Sequence, residues 1–259
     1  MAEVVIVPDA AAAGALVADE IARLIRRDPE AVLGFATGST PVPVYEALVP
    51  RLAGLDVSRV RGFALDEYVG IDPRHPESYH SVIRREVIDP LGLDPDRVRV
   101  PDGSPDGIEH AGEDYEAQIR DAGGVDLQLL GIGSTGHIGF NEPGSSFASL
   151  TRVKTLTAQT RADNARFFGS IDEVPTHCIT QGLGTIRRAR HLVLLAYGEH
   201  KADAVAGAVE GPVTSSLPAS AIQLHPHVTV VVDEAAAVRL RFAEYYRHTW
   251  AHKPDWQGL

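Results

Sequence analysis

Short apolar runs alternate with longer amphipathic stretches along the chain, and this alternation constrains the fold more than any other feature. Runs that are almost continuous in Val, Leu and Ile are typical of strands buried on both faces. Such runs predict strands at Val4–Val7, Ala31–Ala36, Val60–Leu65, Val98–Val100, Val125–Leu130, Leu192–Ala196 and Val228–Val232. Strands that alternate with helices predict an α/β fold, a three-layer sandwich with a mostly parallel sheet and helices on both faces.

The stretches between these runs predict helices. The first spans Asp9 to Arg27, with Asp9 as an N-cap candidate and apolar residues near helical spacing. Further helices are predicted at Val42–Leu48, Glu77–Ile88, Ile108–Ala122, His200–Val209 and Glu234–Tyr246. The sequence contains no internal repeat and no clear linker, so residues 1–259 are predicted to form a single domain.

The composition excludes several classes of function. The formal net charge of −11 argues against a broad surface for nucleic acid or for a membrane, because both need basic patches. No apolar run approaches the roughly 18 residues of a membrane span, and the N-terminus lacks the basic segment of a signal peptide. Cys178 is the only cysteine, so an intramolecular disulfide is impossible and a cytoplasmic location is expected.

In parallel α/β folds, ligands bind at the carboxyl ends of the strands, so the residues after each predicted strand are of interest. The stretch TGSTP, residues 37–41, follows one strand and precedes a helix. Small residues before a helix leave backbone N–H groups free to bind a phosphate. The same stretch also fits a plain connection between a strand and a helix.

Two adjacent carboxylates, Asp66 and Glu67, follow another buried strand in the stretch DEYVG. Burying a charge is costly unless it is used or paired, so one of the two is a candidate general base. Adjacent side chains of an extended segment point in opposite directions, so only one is expected to face a pocket. The alternative is that both lie at the start of a solvated loop.

The stretch GIGSTGHIGFNEP, residues 131–143, begins with a Gly-x-Gly-x-x-Gly pattern. A dinucleotide-binding site would need a helix directly after this pattern and an acidic residue about 20 positions further on. Gly139, Pro143 and Gly144 interrupt such a helix, and no acidic residue follows at that distance. The glycines instead allow a substrate to approach the backbone closely.

His137 and Glu142 lie five positions apart in this glycine-rich stretch. A carboxylate that fixes the tautomer of an imidazole forms a recurring catalytic pair. Lys201 falls in the first turn of a predicted helix, where a bound anion would offset its unfavourable interaction with the helix dipole. The sequence has no metal-binding motif, and no metal or organic cofactor is expected.

The stretches TGSTP, LDEYVG, HPESYHS, GIGSTGHIGFNEPGSSFASLTRVKTLT, TRADNARFF and QLHP occur in this order between about residues 31 and 235. Together they resemble the glucosamine-6-phosphate deaminases. The resemblance implies a Rossmann-like fold and the conversion of glucosamine 6-phosphate and water to fructose 6-phosphate and ammonia, in amino-sugar catabolism. The combination of DEYVG with GHIGFNEP is its most specific part.

The resemblance also implies a role for each matching residue. Asp66 matches the base that moves a proton between C2 and C1, His137 matches the ring-opening histidine, and Glu142 matches the acid that supports it. The implied substrate-binding residues are Gly38, Ser39, Thr40, Glu67, Gly136, Arg166 and Lys201.

One position departs from the pattern, since many family members carry Asp where this chain has Thr135. A threonine cannot serve His137 as an anionic partner. The hypothesis is therefore that Glu142 suffices for ring opening, with an altered pH dependence.

The resemblance further suggests regulation by N-acetylglucosamine 6-phosphate at Ser145, Arg152 and Lys154, and either a hexamer or a monomer. Two alternative functions remain. A 6-phosphogluconolactonase shares the fold and the phosphate loop but lacks the paired motifs. A sugar-phosphate-sensing domain of a transcriptional regulator would need a DNA-binding helix and a basic patch, which an acidic chain that starts with a strand does not offer.

Overall fold

The computed structural model describes residues 2–254 and 256–259, and a seven-stranded parallel sheet forms its centre. The order of the strands across the sheet is β1-β10-β9-β6-β2-β3-β5. Their bounds are β1 Glu3–Val7, β2 Val32–Phe35, β3 Arg61–Ala64, β5 Val98–Arg99, β6 Leu127–Gly131, β9 His191–Ala196 and β10 Val228–Asp233. Each predicted strand therefore lies in this sheet, and the α/β prediction is confirmed.

A second, three-stranded sheet has the order β4-β8-β7 and is antiparallel. It consists of β4 Asp66–Tyr68, β7 Arg152–Thr155 and β8 His177–Thr180. The sequence did not predict this sheet, because its strands are short and the exposed edge strand β7 has polar residues at every position but Val153. Asp66 and Glu67 thus lie in a strand and not at the start of a solvated loop.

Helices surround the central sheet and cover its apolar strands. Their bounds are α1 Ala10–Arg27, α2 Val42–Arg51, α3 Tyr79–Ile83, α4 Asp89–Leu91, α5 Ile108–Asp121, α6 Ala158–Asn164, α7 Leu183–Ile186, α8 Ala202–Glu210 and α9 Ala243–Ala251. Asp9 caps α1 as predicted, because its Oδ1 accepts a hydrogen bond of 2.8 Å from the backbone N–H of Ala12. That cap satisfies one of the free N–H groups at the helix start.

Two predicted helices differ from the structure. The segment predicted as Glu77–Ile88 is helical only from Tyr79, and it continues from Arg84 to Ile88 as a π-helical turn. The helix predicted at Glu234–Tyr246 is wrong over its first half, where residues 234–239 form turns and α9 begins at Ala243. Asp233 accepts a hydrogen bond from the Ala236 N–H at 2.7 Å and so holds the chain in a turn after β10.

The order of the strands places a binding site between β2 and β6. From β2 the chain continues toward β5 on one side of the sheet, and from β6 it continues toward β10 on the other. Neighbouring strands at such a switch point leave a crevice at their carboxyl ends, where ligands bind in open α/β sheets. The residues directly after β2 and β6 are Ala36–Thr40 and Ile132–His137. Over the described residues, no helix is long and apolar enough to cross a membrane.

Candidate active site

A cavity of about 480 Å³ opens at the carboxyl edge of the central sheet, at this switch point. Its walls come from the loops after β2 and β6, from β4, from α3, from the segment 160–168 and from the start of α8. The volume suits a small metabolite, and such cavities combine apolar walls with a few convergent polar groups. Among the residues predicted from the sequence, seven line this cavity: Gly38, Ser39, Thr40, Asp66, His137, Arg166 and Lys201.

One end of the cavity is built to hold an anion. The loop Gly38–Thr40 lies before α2, a helix of ten residues whose free N–H groups and dipole favour negative charge. Lys201 lines the same cavity directly before α8, one residue before the helix begins and not in its first turn as predicted, and Arg166 lines it from the segment after α6. Burial lowers the pKa of Lys201, and Arg166 lowers it further, whereas Asp163 opposes the shift. These two cations and the free N–H groups before α2 favour a phosphate, although Asp163 also lies at this end of the cavity.

Asp66 is the buried carboxylate of the cavity, with 5% of its surface exposed. Burial, together with the negative charge of Glu67, raises the pKa of Asp66 to about 8. The Thr180 hydroxyl and the Phe140 N–H act in the opposite direction, because hydrogen bonds to a carboxylate favour its ionised form. A carboxyl group whose pKa lies near the working pH is suited to accept and return a proton.

Glu67 points away from the cavity, and this corrects its predicted role in substrate binding. Its carboxylate accepts hydrogen bonds from Ser78 Oγ at 2.7 Å and from the backbone N–H groups of Tyr79 at 3.0 Å and His80 at 3.1 Å. Glu67 therefore holds the start of α3, the helix that carries Tyr79 to the cavity wall. The expectation that only one of the two adjacent carboxylates faces the pocket is confirmed, and that carboxylate is Asp66.

The imidazole of His137 reaches both of its predicted neighbours. Its Nδ1 lies 2.9 Å from the hydroxyl of Thr135 and 3.7 Å from Oε2 of Glu142. Burial lowers the pKa of His137, Glu142 acts against this shift, and Lys201 lowers the pKa further. His137 is thus predominantly neutral near pH 7, so it can accept a proton.

Glu142 lies behind His137 and does not line the cavity, and 5% of its surface is exposed. Its Oε1 accepts hydrogen bonds from the hydroxyls of Thr157, at 3.1 Å, and of Thr160. Among the described residues, its Oε2 has no hydrogen-bond partner, and it faces Nδ1 of His137. Glu142 is therefore placed to hold and stabilise the imidazole, and it does not contact a ligand in the cavity.

The glycines of the GIGSTG stretch serve the histidine and not a dinucleotide. A Cβ atom at Gly133 would lie within 2.1 Å of the His137 ring, so only glycine leaves room for the imidazole there. Gly136 does not line the cavity, which corrects its predicted role in substrate binding. It packs against Leu217, whose side chain a Cβ atom would meet at 2.5 Å.

Aromatic and amide side chains that the sequence did not single out complete the cavity wall. Tyr68 contacts Phe140 and Phe168 with ring centroids 5.7 and 5.6 Å apart, and its hydroxyl accepts a hydrogen bond of 2.9 Å from Asn164 Nδ2. Tyr79 lies beside Tyr68, at a centroid distance of 5.1 Å. The available signal was their position inside the quoted motifs DEYVG, HPESYHS, GHIGFNEP and TRADNARFF.

The residues matched to a regulatory site lie outside the cavity. Ser145 is buried, and its hydroxyl donates to the backbone carbonyl of Glu142 at 2.7 Å. Arg152 Nη2 lies 3.4 Å from Ser145 Oγ, and Lys154 follows two positions later on the same face of β7. The structure therefore brings Ser145 and Arg152 together, next to Glu142. In the described part of the chain, no cluster of His, Cys, Asp and Glu could hold a metal ion.

Comparisons with known proteins identify the family. The model of the glucosamine-6-phosphate isomerases/6-phosphogluconolactonase family matches residues 9–231. The chain belongs to this family. A glucosamine-6-phosphate deaminase of Streptomyces coelicolor is 63% identical over 99% of this chain and 100% of its own length. Another, of Mycolicibacterium smegmatis, is 57% identical over 99% and 100% of the two chains.

Solved structures of the family agree with this assignment. A monomeric glucosamine-6-phosphate deaminase has a TM-score of 0.89 and 40% identity, with 92% of this chain and 99% of that chain covered. A 6-phosphogluconolactonase from Trypanosoma cruzi has a TM-score of 0.75 over 93% of this chain and 97% of that chain. At 20% identity, the likeness to this lactonase shows the fold alone.

Proposed function

We propose that this family member converts glucosamine 6-phosphate and water to fructose 6-phosphate and ammonia, by an aldose–ketose isomerisation coupled to deamination in amino-sugar catabolism. The observation that carries the proposal is the content of one cavity. It holds the buried carboxylate of Asp66 and the imidazole of His137, which has the carboxylate of Glu142 behind it. It also has a cationic end. The relatives that are 56–64% identical over the whole chain carry the name of this activity.

The phosphate group of the substrate binds at the cationic end, between the loop Gly38–Thr40, Arg166 and Lys201. This contact lies away from the carbons that react. It contributes orientation, because a substrate fixed at its phosphate presents C1 and C2 to the catalytic groups in one geometry.

Ring opening comes first, because the substrate is a closed pyranose. His137 takes the proton of the O1 hydroxyl, the C1–O5 bond breaks, and O5 receives a proton from the imidazole. Thr135 and Glu142 both lie at Nδ1, which leaves Nε2 for these transfers. The carboxylate of Glu142 stabilises the imidazolium that forms between the two transfers.

Asp66 then acts on the open chain. Its carboxylate takes the proton from C2 to form an enolamine and returns a proton to C1. The product is an imine at C2, which water hydrolyses to the ketone and ammonia. A positioned base of this kind contributes about 10²- to 10⁴-fold in rate. The steps need no organic cofactor and no metal ion.

The test is an assay of the purified protein with glucosamine 6-phosphate, in which ammonia and fructose 6-phosphate are measured together. We expect the two products in equal amounts, and we expect Asp66→Asn to form them about 10²- to 10⁴-fold more slowly. 6-Phosphogluconolactone serves as the second substrate, because a lactonase would hydrolyse it without releasing ammonia. Hydrolysis of the lactone in place of deamination would refute the proposal.

N-acetylglucosamine 6-phosphate is proposed as a regulator that binds near Ser145, Arg152 and Lys154. Support comes from the contact between Ser145 and Arg152 and from the hydrogen bond that ties Ser145 to the backbone of Glu142. The oligomeric state and a cytoplasmic location also stay predictions, as does the organisation as one domain. Activation of the enzyme by N-acetylglucosamine 6-phosphate that is lost in Arg152→Ala would support the regulatory site. A mass measurement by light scattering tests the oligomeric state.

A further inference from the structure

Thr180 lies between Asp66 and the loop that carries His137 and Glu142. It ends strand β8 and is the partner of Asp66 in the antiparallel β4–β8 ladder. Its side chain is completely buried, and it does not line the cavity. Thr180 therefore does not contact a substrate in the cavity, and any influence on the reaction acts through Asp66 or through the loop.

The hydroxyl of Thr180 is shared among three neighbours. Its oxygen accepts a hydrogen bond of 3.1 Å from the backbone N–H of Phe140. Its proton has two acceptors at the same distance of 3.4 Å, namely Oδ2 of Asp66 and the carbonyl oxygen of Gln181. Because a hydroxyl carries one proton, it can donate to only one of these acceptors at a time.

The loop passes so close to this group that a side chain at position 139 would require its neighbours to shift by a few tenths of an ångström. A Cβ atom at Gly139 would lie 3.0 Å from Thr180 Oγ1 and 3.3 Å from Asp66 Oδ2. Gly139 also has φ of +53°, in the left-handed region that favours glycine. This close approach is a second observation, independent of the hydrogen bonds, that the loop is fitted around the Thr180–Asp66 contact.

We propose that Thr180 is a positioning residue for the base: its hydroxyl donates to Oδ2 of the ionised Asp66 and leaves Oδ1 free for the C2 proton of the substrate. When Asp66 has taken up that proton, the Thr180 hydroxyl turns to the carbonyl oxygen of Gln181. The reorientation removes the donor that favours the charged carboxylate, so the protonated form persists until the proton is returned to C1. This inference rests on the proposed function for the identity of the substrate.

The charges around Asp66 allow the hydroxyl of Thr180 to influence the ionisation of this carboxyl group. Glu67, on the same strand, is the charged neighbour that raises the pKa of Asp66 together with burial. The other titratable groups packed near Asp66 come from β4, α3, α5 and β8, and burial raises the pKa of each: Tyr68, Tyr79, Tyr115 and Cys178. These four stay uncharged near neutral pH, so Thr180 and the Phe140 N–H are the groups that favour the ionised form of Asp66.

The experiment compares Thr180→Val, which removes the hydroxyl at nearly constant shape, with Thr180→Ser, which keeps it. Two quantities are measured between pH 5 and 10: kcat/KM for ammonia release from glucosamine 6-phosphate, and the carboxyl ¹³C resonance of Asp66 in protein labelled at aspartate. The loss of this resonance in Asp66→Asn assigns it. Thr229→Val is the matched control, since Thr229 is also completely buried and bonded to a neighbour, His191, but lies in β10 outside the site.

In Thr180→Val we expect the acid limb of kcat/KM and the carboxyl titration to move upward together by roughly one pH unit, the effect of one lost hydrogen bond to a charged group. Thr180→Ser and Thr229→Val should keep the wild-type midpoint. If Thr180→Val lowers the rate equally at every pH while both midpoints stay in place, Thr180 has a structural role only and the inference is wrong.

Two further outcomes are distinguishable. If Thr180→Val does not fold, Thr180→Ala removes the same hydroxyl with less bulk, and the same shift is expected. If the wild-type protein releases no ammonia, the proposed function fails, but the carboxyl titration still decides whether Thr180 lowers the pKa of Asp66. An unchanged titration in either hydroxyl-free variant would contradict the inference, whatever the substrate.

Discussion

Two buried carboxylates with equal exposure, Asp66 and Glu142, have different surroundings. Each has 5% of its surface exposed. Oε1 of Glu142 accepts hydrogen bonds from two hydroxyl groups, and its Oε2 faces an imidazole. Asp66 has a long contact of 3.4 Å to Thr180 and a negatively charged neighbour, Glu67. Burial alone therefore does not assign a role to a carboxylate. The number of hydrogen-bond donors around it and the sign of the neighbouring charges do.

The contrast divides the chemistry between the two groups. Asp66 lines the cavity and has few donors, so it is fitted to accept and return a proton. Glu142 lies behind His137, is held by Thr157 and Thr160, and is fitted to keep one position beside the imidazole. Removing the ionisable group from each should therefore break different steps.

Asp66→Asn tests the base and should have the largest effect. We expect ammonia release to fall by about 10²- to 10⁴-fold, the usual contribution of a positioned base, while KM changes little because the phosphate contacts remain. The variant should also stop exchanging the C1 hydrogens of fructose 6-phosphate with deuterated water in the presence of ammonium. Exchange at the wild-type rate would exclude Asp66 as the base.

Glu142→Gln tests the carboxylate behind His137. We expect kcat for glucosamine 6-phosphate to fall by about 10- to 100-fold, because the imidazolium of the ring-opening step loses its countercharge. Hydrogen exchange at C1 of fructose 6-phosphate should be less affected, since the proton transfer at C1 is assigned to Asp66 and not to His137. Equal losses in both assays would contradict the separation of the two roles.

Thr135→Asp makes the surroundings of His137 more acidic and should have a smaller effect. Thr135 lies 2.9 Å from Nδ1, closer than Glu142 at 3.7 Å, and a carboxylate in this place favours the charged imidazole. Since burial lowers the pKa of His137, the new carboxylate should raise it by about one unit. His137 must be neutral to take the O1 proton, so the ratio of activity at pH 6 to activity at pH 8 should be several-fold lower in Thr135→Asp than in the wild type.

The pH profile of Thr135→Asp from pH 6 to 9 decides this point when measured beside the wild type. Thr135→Val is the matched control, since it removes the hydroxyl without adding a charge. Indistinguishable profiles for wild type and Thr135→Asp would show that this position does not tune the site.

The stability of Asp66→Asn relative to the wild type should change with pH, and the sign of this change follows from the raised pKa of Asp66. A carboxyl whose pKa is about 8 in the folded state and about 4 when unfolded contributes stability that is fully present below the unfolded value. This stability is lost as the pH rises through the folded pKa. Asn does not titrate, so the melting temperature of the variant should rise relative to that of the wild type from pH 5 to 8.

Well above pH 8 the difference should stay constant, because Asp66 is then ionised in both states. The rise corresponds to at most about 1.4 kcal/mol per pH unit, which is a few degrees for a chain of this length. Thermal melts of both proteins at each pH measure it. A difference independent of pH would mean that the pKa of Asp66 is not raised.

The central sheet was predictable from the sequence because each of its strands is a nearly continuous apolar run. The small sheet was not, because the burial of Asp66 depends on β8, whose Thr180 lies 114 positions further along the chain. Periodicity indicated that one of Asp66 and Glu67 faces the pocket, and the resemblance identified Asp66. Neither indicated that Glu67 holds the start of α3, since that contact exists only after the loop before α3 has folded back.

The most direct test of the mechanism is kcat/KM for ammonia release from glucosamine 6-phosphate as a function of pH. If the buried Asp66 is the base, activity rises with pH along an acid limb with a midpoint near 8, and Asp66→Asn lacks this activity at every pH. A midpoint near 4, the ordinary value of an exposed carboxyl, or an active Asp66→Asn variant, would contradict the assignment of Asp66 as the buried base.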